Sequence, residues 1–389
     1  MKNFIKVVFS VILLCLCINS NIHSQNSFKK TNSLKLYDTV SISFVGDIMQ
    51  HTPQISSALK EGGDSTYNYS NTFKYLEYYF EKSDYVVSNM EFTIGTKPYS
   101  GYPLFSAPPQ IAQQAQKSGI NIFLTANNHI ADKGVKGLER TLDFYDNLKV
   151  DRVGTYRDKG EEEKNNPLII EAKGIKFAIF NFTYGTNGMP EPKPYYICKQ
   201  DSTHIKEVIK RAKEAGVDFI IAAPHWGEEY QLSPSKEQKD FAEMMFREGV
   251  NCIIGSHPHV PQKGYIDLND NFLSSKEKDK GRIVFYSLGN YVSNQNEPPY
   301  TQIGMLVELR FVRNTLTKQV KMIAPKWFYT WCFRKGEYLS DFMVAVIDDI
   351  IEEEKSYLFP SENSTIVQMK KIYSLIKNKQ LIEFKNVSR

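Results

Sequence analysis

The chain has 389 residues, 41% hydrophobic and 13% aromatic, which supports a sizeable packed core in one large or two medium domains. The formal charge is +4, and +2 once Lys2 and Lys6 of an N-terminal leader are set aside. No run or stripe of lysine and arginine follows, so nucleic acid is excluded as an expected partner. Of five cysteines, Cys15 and Cys17 lie in the leader. Cys198, Cys252 and Cys332 remain, an odd and widely spaced set that makes neither a disulfide framework nor a Cys-x-x-Cys metal site. Cys252, inside an apolar strand, reads as a small buried hydrophobe.

Residues 1–24 have a basic start and an apolar run over 7–18, the pattern of a secretory signal peptide cut before Gln25. The expectation is export to the periplasm or cell surface. The alternatives are an uncleaved N-terminal membrane anchor and a lipoprotein attached at Cys17. Residues 25–34 read as a flexible tether, 35–335 as the main domain, and 336–389 as a charged helical extension packed on it.

Within the main domain, strands and helices alternate. Periodicity predicts strands over 40–45, 85–87, 120–124, 168–171, 175–182, 217–223, 250–254, 282–288, 305–312 and 317–323. The turn Ala172-Lys173-Gly174 makes a hairpin of two of them. Helices are predicted over 71–81, 108–117, 134–148, 201–214 and 234–247, with Pro108 near the first turn of its helix. No internal repeat or low-complexity block interrupts the pattern.

Strand after strand ends in residues of ligand type: Asp47, Glu91, Asn128 with His129, His225, and the pair His257 and His259. In open α/β folds the ligand crevice lies outside the carboxyl ends of the strands. An extended His-x-His pair would present both rings on one side, because side chains alternate. Of seven histidines, His23 is in the leader and His204 is expected to be solvated on a helix surface. The other five, His51 included, lie at or just beyond strand ends.

Singly, each has a plainer role. Asp47 could cap a helix, Glu91 could be a solvated charge, and His225 could be a half-buried core residue. Together they form a nitrogen and oxygen donor set without thiolate, suited to Zn, Mn or Fe. The set is too large for one tetrahedral ion and suits two that share a carboxylate. Two ions about 3.5–4 Å apart can clamp an oxyanion and acidify a water. Glu229 and Tyr230 would orient His225 or line the pocket, and Ser287 and Asn290 would shape its mouth. Neither Ser256 nor Ser287 sits in a Gly-x-Ser-x-Gly elbow, which disfavours a serine hydrolase.

The ordered motifs are Gly46-Asp47, Asn89-Met90-Glu91, Ala126-Asn127-Asn128-His129, His225-Trp226-Gly227-Glu228-Glu229-Tyr230, Gly255-Ser256-His257-Pro258-His259 and Ser287-Leu288-Gly289-Asn290. Over about residues 40–292 this series resembles the CapA family of poly-γ-glutamate capsule synthesis proteins, a branch of the calcineurin-like metallophosphoesterases. The resemblance implies a four-layer α/β/β/α fold in which two mixed sheets pack face to face with helices outside. It implies one or two divalent ions held by Asp47, Glu91, Asn128, His225, His257 and His259. His225 and His257 would serve one ion and His259 the other, with Glu91 in the bridging place.

His129 would assist the leaving group or the transition state. Metallophosphoesterases usually carry a first-strand histidine where Met49 stands here, and His51 is a candidate substitute. The implied activity is metal-dependent hydrolysis or transfer on a phosphoester or an anionic polymer, alongside membrane-bound capsule synthesis proteins. The alternative from a different class is a non-catalytic, polymer-binding subunit of a capsule assembly.

Overall fold

The computed structural model describes residues 36–268, 281–337, 341–352, 363–379 and 382–385. The leader and the tether lie outside the described residues.

Two mixed sheets are built from alternating side chains. The first runs in the order Met343–Val346, Val320–Phe333, Ile303–Asn314, Tyr37–Ile48, Tyr85–Met90, Ile122–Leu124, Asp151–Val153, with Asn290–Val292 also pairing Tyr37–Ile48. The second runs Ile382–Lys385, Gly264–Asp267, Arg282–Phe285, Cys252–Ile254, Phe219–His225, Ile175–Thr183, Leu168–Ala172. Tyr37–Ile48, Tyr85–Met90 and Ile122–Leu124 of the first sheet are parallel, as are Ile175–Thr183, Phe219–His225 and Cys252–Ile254 of the second, so in each sheet their carboxyl ends share one edge.

The period of two explains how the sheets pack. Ile42, Phe44, Val87, Ile122 and Leu124 of the first sheet share one buried cluster with Phe177, Ile179, Phe219, Ile221, Cys252 and Phe285 of the second. The intervening residues face outward. Val45, Val86 and Phe123 pack with Phe73, Phe80, Ile111, Ala115 and Tyr145 of the helices Ser70–Phe73, Glu77–Phe80, Gln110–Lys117 and Gly134–Leu148. Ala178, Phe180, Ile220 and Ile253 pack with Ile205, Val208, Ile209, Met245 and Phe246 of helices Ser202–Glu214 and Lys236–Arg247. The layers are therefore helix, sheet, sheet, helix, as expected.

Three expectations are corrected. The helix predicted over 71–81 is two single turns, Ser70–Phe73 and Glu77–Phe80, and Phe73, Leu76 and Phe80 all enter the core. The C-terminal region is not only helical. Met343–Val346, an apolar run with two valines, adds an edge strand to the first sheet, and Ile382–Lys385 adds one to the second. Between them Ile366, Met369, Ile372 and Ile376 of helix Ser364–Asn378 enter the inter-sheet core. His204 is buried, not solvated, with its Nε2 2.9 Å from Glu162 Oε1. That carboxylate also accepts from Arg211 and Asn166, at 2.6 and 2.9 Å. Among the described residues no helix is long and apolar enough to cross a membrane.

Phe177 lies between the sheets, with ring centroids 5.9 Å from Phe219 and 4.8 Å from Phe311. Phe177→Ala should lower stability by about 3–5 kcal/mol in urea titrations, by lost burial plus the cavity left behind.

Candidate metal centre

The carboxyl ends of both sheets meet at one place. The first sheet delivers Asp47, Glu91, Asn128 and His129, and the second His225, His257 and His259. Gly46 makes the junction feasible. A Cβ there would lie 1.9 Å from Gly289 O, so only glycine lets the first strand run close enough to pair Asp47 with Asn290.

The two histidines after Ile254 do not continue an extended strand. His257 and His259 take left-handed backbones, with φ of 97° and 59°. Convergence comes from these two kinks and not from alternation. Such φ values are uncommon outside glycine and are held here by their surroundings. His257 N donates to Asp47 Oδ2 at 3.2 Å, and Tyr230 N donates to Pro258 O at 2.8 Å.

Two overlapping groups result. Asp47, Glu91 and His225 bring ligand atoms within 4.8 Å of one another, as do Glu91, His257 and His259. Glu91 is common to both. Its Oε1 lies 3.8 Å from His225 Nε2 and from His259 Nε2, while Asp47 Oδ2 lies 3.4 Å from His259 Nδ1. Asn128 joins through its Oδ1, 2.8 Å from His225 Nε2.

Both carboxylates are fully buried. Among the described residues neither pairs with a lysine or arginine; their ionic neighbours are the histidines. Burial pushes the Glu91 carboxyl well above its ordinary range, and the Asp47 charge adds to this. Burial likewise holds His225 and His257 well below theirs, helped by the neighbouring imidazoles. Glu91 Oε1 and His257 Nδ1 have no hydrogen-bond partner. Buried polar atoms are normally satisfied, and unpaired acids facing neutral imidazoles suit a divalent cation with nitrogen and oxygen ligands.

His129 sits beside this set. Its Nδ1 is 2.8 Å from Asp132 Oδ2, which also accepts from Phe105 N at 2.7 Å. The Phe105 ring stands edge-on to the imidazole at 4.5 Å. His51 belongs to neither group. It precedes helix Thr52–Glu61, with its Nδ1 3.2 Å from Gln54 Oε1, and its ring packs against Phe105 at 5.3 Å. Burial lowers its pKa to about 4. Met49 is buried among the apolar residues of the outer layer.

The remaining expected residues divide. Asn290 touches the set, with its Oδ1 3.0 Å from His259 Nδ1. Tyr230 lies 6.2 Å from the His259 ring, centroid to centroid, and Glu229 is exposed at the rim. Ser287 accepts from Gly289 N at 3.1 Å and shapes the turn before Asn290.

Sequence reasoning missed four contributors. Asn89 lies near the end of strand Tyr85–Met90 and Asn127 in the loop that carries Asn128 and His129. Asn181 ties the sheets together: its Oδ1 accepts from Thr125 N and Ala126 N at 3.1 and 2.7 Å, and its Nδ2 donates to Ala223 O at 2.7 Å. Tyr184 covers His257, ring centroids 4.6 Å apart, and is 43% exposed. Only the doubled asparagine before His129 signalled any of them.

The fold and this donor set define an α/β/β/α protein with a candidate metal centre at its strand ends. The chain belongs to the family described as bacterial capsule synthesis protein PGA_cap, which matches residues 41–295. It is 28% identical over 274 residues to the capsule biosynthesis protein CapA of Bacillus anthracis, covering 66% of this chain and 61% of that protein. To the PGA biosynthesis protein CapA of Bacillus subtilis (strain 168) it is 29% identical over 279 residues, covering 68% and 67%. The chain thus spans about two thirds or less of the length of these relatives. Among solved structures, a phosphatase from Mycoplasma pneumoniae aligns with a TM-score of 0.44 at 16% identity, covering 75% of this chain and 93% of that one.

The acid pair predicts a pH signature in chelator-treated protein. Glu91 keeps its proton in the folded state at pH values where the unfolded chain, near 4.5, has released it. The folded state then binds more protons, so this group withdraws stability as pH rises above 4.5. His225 and His257 act oppositely: their cost fades as pH rises through 6.5. They are common to wild type and Glu91→Gln. In urea titrations at pH 5 and pH 8, wild type should therefore lose stability relative to Glu91→Gln as pH rises. Parallel pH profiles would contradict the assignment.

Proposed function

We propose that the chain is an exported, metal-dependent hydrolase or transferase acting in capsule or poly-γ-glutamate-type polymer metabolism at the cell surface. Its substrate is a phosphoester or an anionic, γ-linked polymer, and its partners are membrane-bound capsule synthesis proteins. One observation carries the reading: two buried carboxylates and three histidines converge with no lysine or arginine partner among the described residues, and Glu91 Oε1 and His257 Nδ1 have no hydrogen-bond partner there. Family membership supports the capsule setting.

Asp47, Glu91, Asn128, His225, His257 and His259 would hold one or two Mn, Zn or Fe ions. Such ions supply Lewis acidity toward an oxyanion and a water of lowered pKa. The protein's own residues do the rest. Asp132 occupies His129 Nδ1, which fixes the ring and leaves Nε2 to carry a proton to the leaving group or to stabilise its charge. Phe105 packs against that imidazole, and Tyr184 covers His257. Asn290 holds His259 by its Nδ1.

A second reading is a polymer-binding subunit without catalysis. Met49 in place of a first-strand histidine, with His51 engaged at a helix start, favours it.

Metal analysis of the purified chain separates the two, followed by turnover of bis(p-nitrophenyl) phosphate and a γ-glutamyl anilide with added Mn²⁺ or Zn²⁺. The enzyme reading expects bound metal and turnover of one substrate. Bound metal without turnover would favour the subunit, and a metal-free, inert protein would overturn the enzyme reading. At a Mn²⁺ concentration 100-fold above Kd, wild type should gain about 2.7 kcal/mol of stability, and Glu91→Gln little. His129→Ala should lower turnover by about 10²–10⁴-fold while Mn²⁺ binding is retained.

A further inference from the structure

The doubled asparagine of the Asn127-Asn128-His129 motif has only its second member placed against His225. The first has a different position. His129 N donates to Asn127 Oδ1 at 3.1 Å. A backbone N–H can only donate, so this contact fixes which end of the Asn127 amide is oxygen. Asn127 Nδ2 then donates to Met90 O at 2.9 Å and to Asn89 Oδ1 at 3.2 Å. That in turn fixes the Asn89 amide, whose Nδ2 donates to Asp47 Oδ1 at 2.7 Å and reaches Glu91 Oε2 at 3.3 Å. The same nitrogen lies 3.2 Å from His225 Nδ1. Both asparagines are buried.

One oxygen of each acid is thereby taken, Asp47 Oδ1 and Glu91 Oε2. The other oxygens, Asp47 Oδ2 and Glu91 Oε1, are those nearest the histidines, and Glu91 Oε1 is the orphan. We infer that Asn127 and Asn89 form an amide relay that positions this acid pair for a divalent cation, sorting its oxygens and tying it to the backbone of the His129 loop. Asn127 touches neither acid and acts through Asn89 and the Met90 carbonyl beside Glu91. The inference rests on the metal-site reading proposed above.

Asn127→Asp tests it. The variant is nearly isosteric and still accepts from His129 N, but it cannot donate to Asn89, whose amide is then free to turn its oxygen toward the acids. Mn²⁺ binding to the full chain is measured by titration calorimetry, beside thermal unfolding in chelator. Loss of such outer partners weakens metal binding about 10–100-fold, and that loss is expected for both Asn127→Asp and Asn89→Ala. If Asn89→Ala does not fold, Asn127→Asp carries the test. A merely structural role would lower the unfolding temperature and leave the affinity within twofold, and that result overturns the relay. If wild type itself binds no Mn²⁺, the metal-site reading falls and the relay with it. If wild type binds and Asn127→Asp binds equally well, the relay alone falls.

Discussion

Asp47 and Glu91 lie side by side where water does not reach, facing three imidazoles and, among the described residues, no lysine or arginine. Burying even one unpaired carboxylate is costly, and two adjacent ones more so. The surrounding structure reads as the means of tolerating this. One amide nitrogen, Asn89 Nδ2, and one backbone N–H, His257 N, are the donors that meet the pair. Two residues are held in left-handed backbone to bring imidazoles to it.

The fold supplies that concentration of groups because two sheets end at one edge. Each sheet alone offers half the set. The inter-sheet core, alternating residues from both sheets, brings the carboxyl ends together, and Asn181 bridges the loops above it. Gly46 permits the close backbone approach that seats Asp47 beside Asn290. The candidate metal centre and the structural core are thus joined at the strand ends.

Much of this was legible in the sequence. Alternating apolar residues marked the inner strands, and polar residues at their ends marked the site; six such ends in order carried the family resemblance. The parts that were not legible share a physical cause. Asn89 and Asn127 act through side-chain amides, and asparagine near a turn has many ordinary uses. The kinked backbone at His257 and His259 depends on contacts from Asp47 and Tyr230, remote in sequence. Met343–Val346 and Ile382–Lys385 are edge strands of only four residues, and the partner of the second, Gly264–Asp267, lies far back along the chain. His204 was misplaced because its partner, Glu162, lies on another helix.

The account turns on whether the acid and imidazole set is a cation site, and anomalous diffraction from crystals grown with Mn²⁺ addresses that directly. It predicts density bordered by Glu91 together with Asp47 and His225, with His257 and His259, or with both groups. Crystals with no anomalous density at Glu91, or with density only beside Glu162, Cys198 and His204, would contradict it.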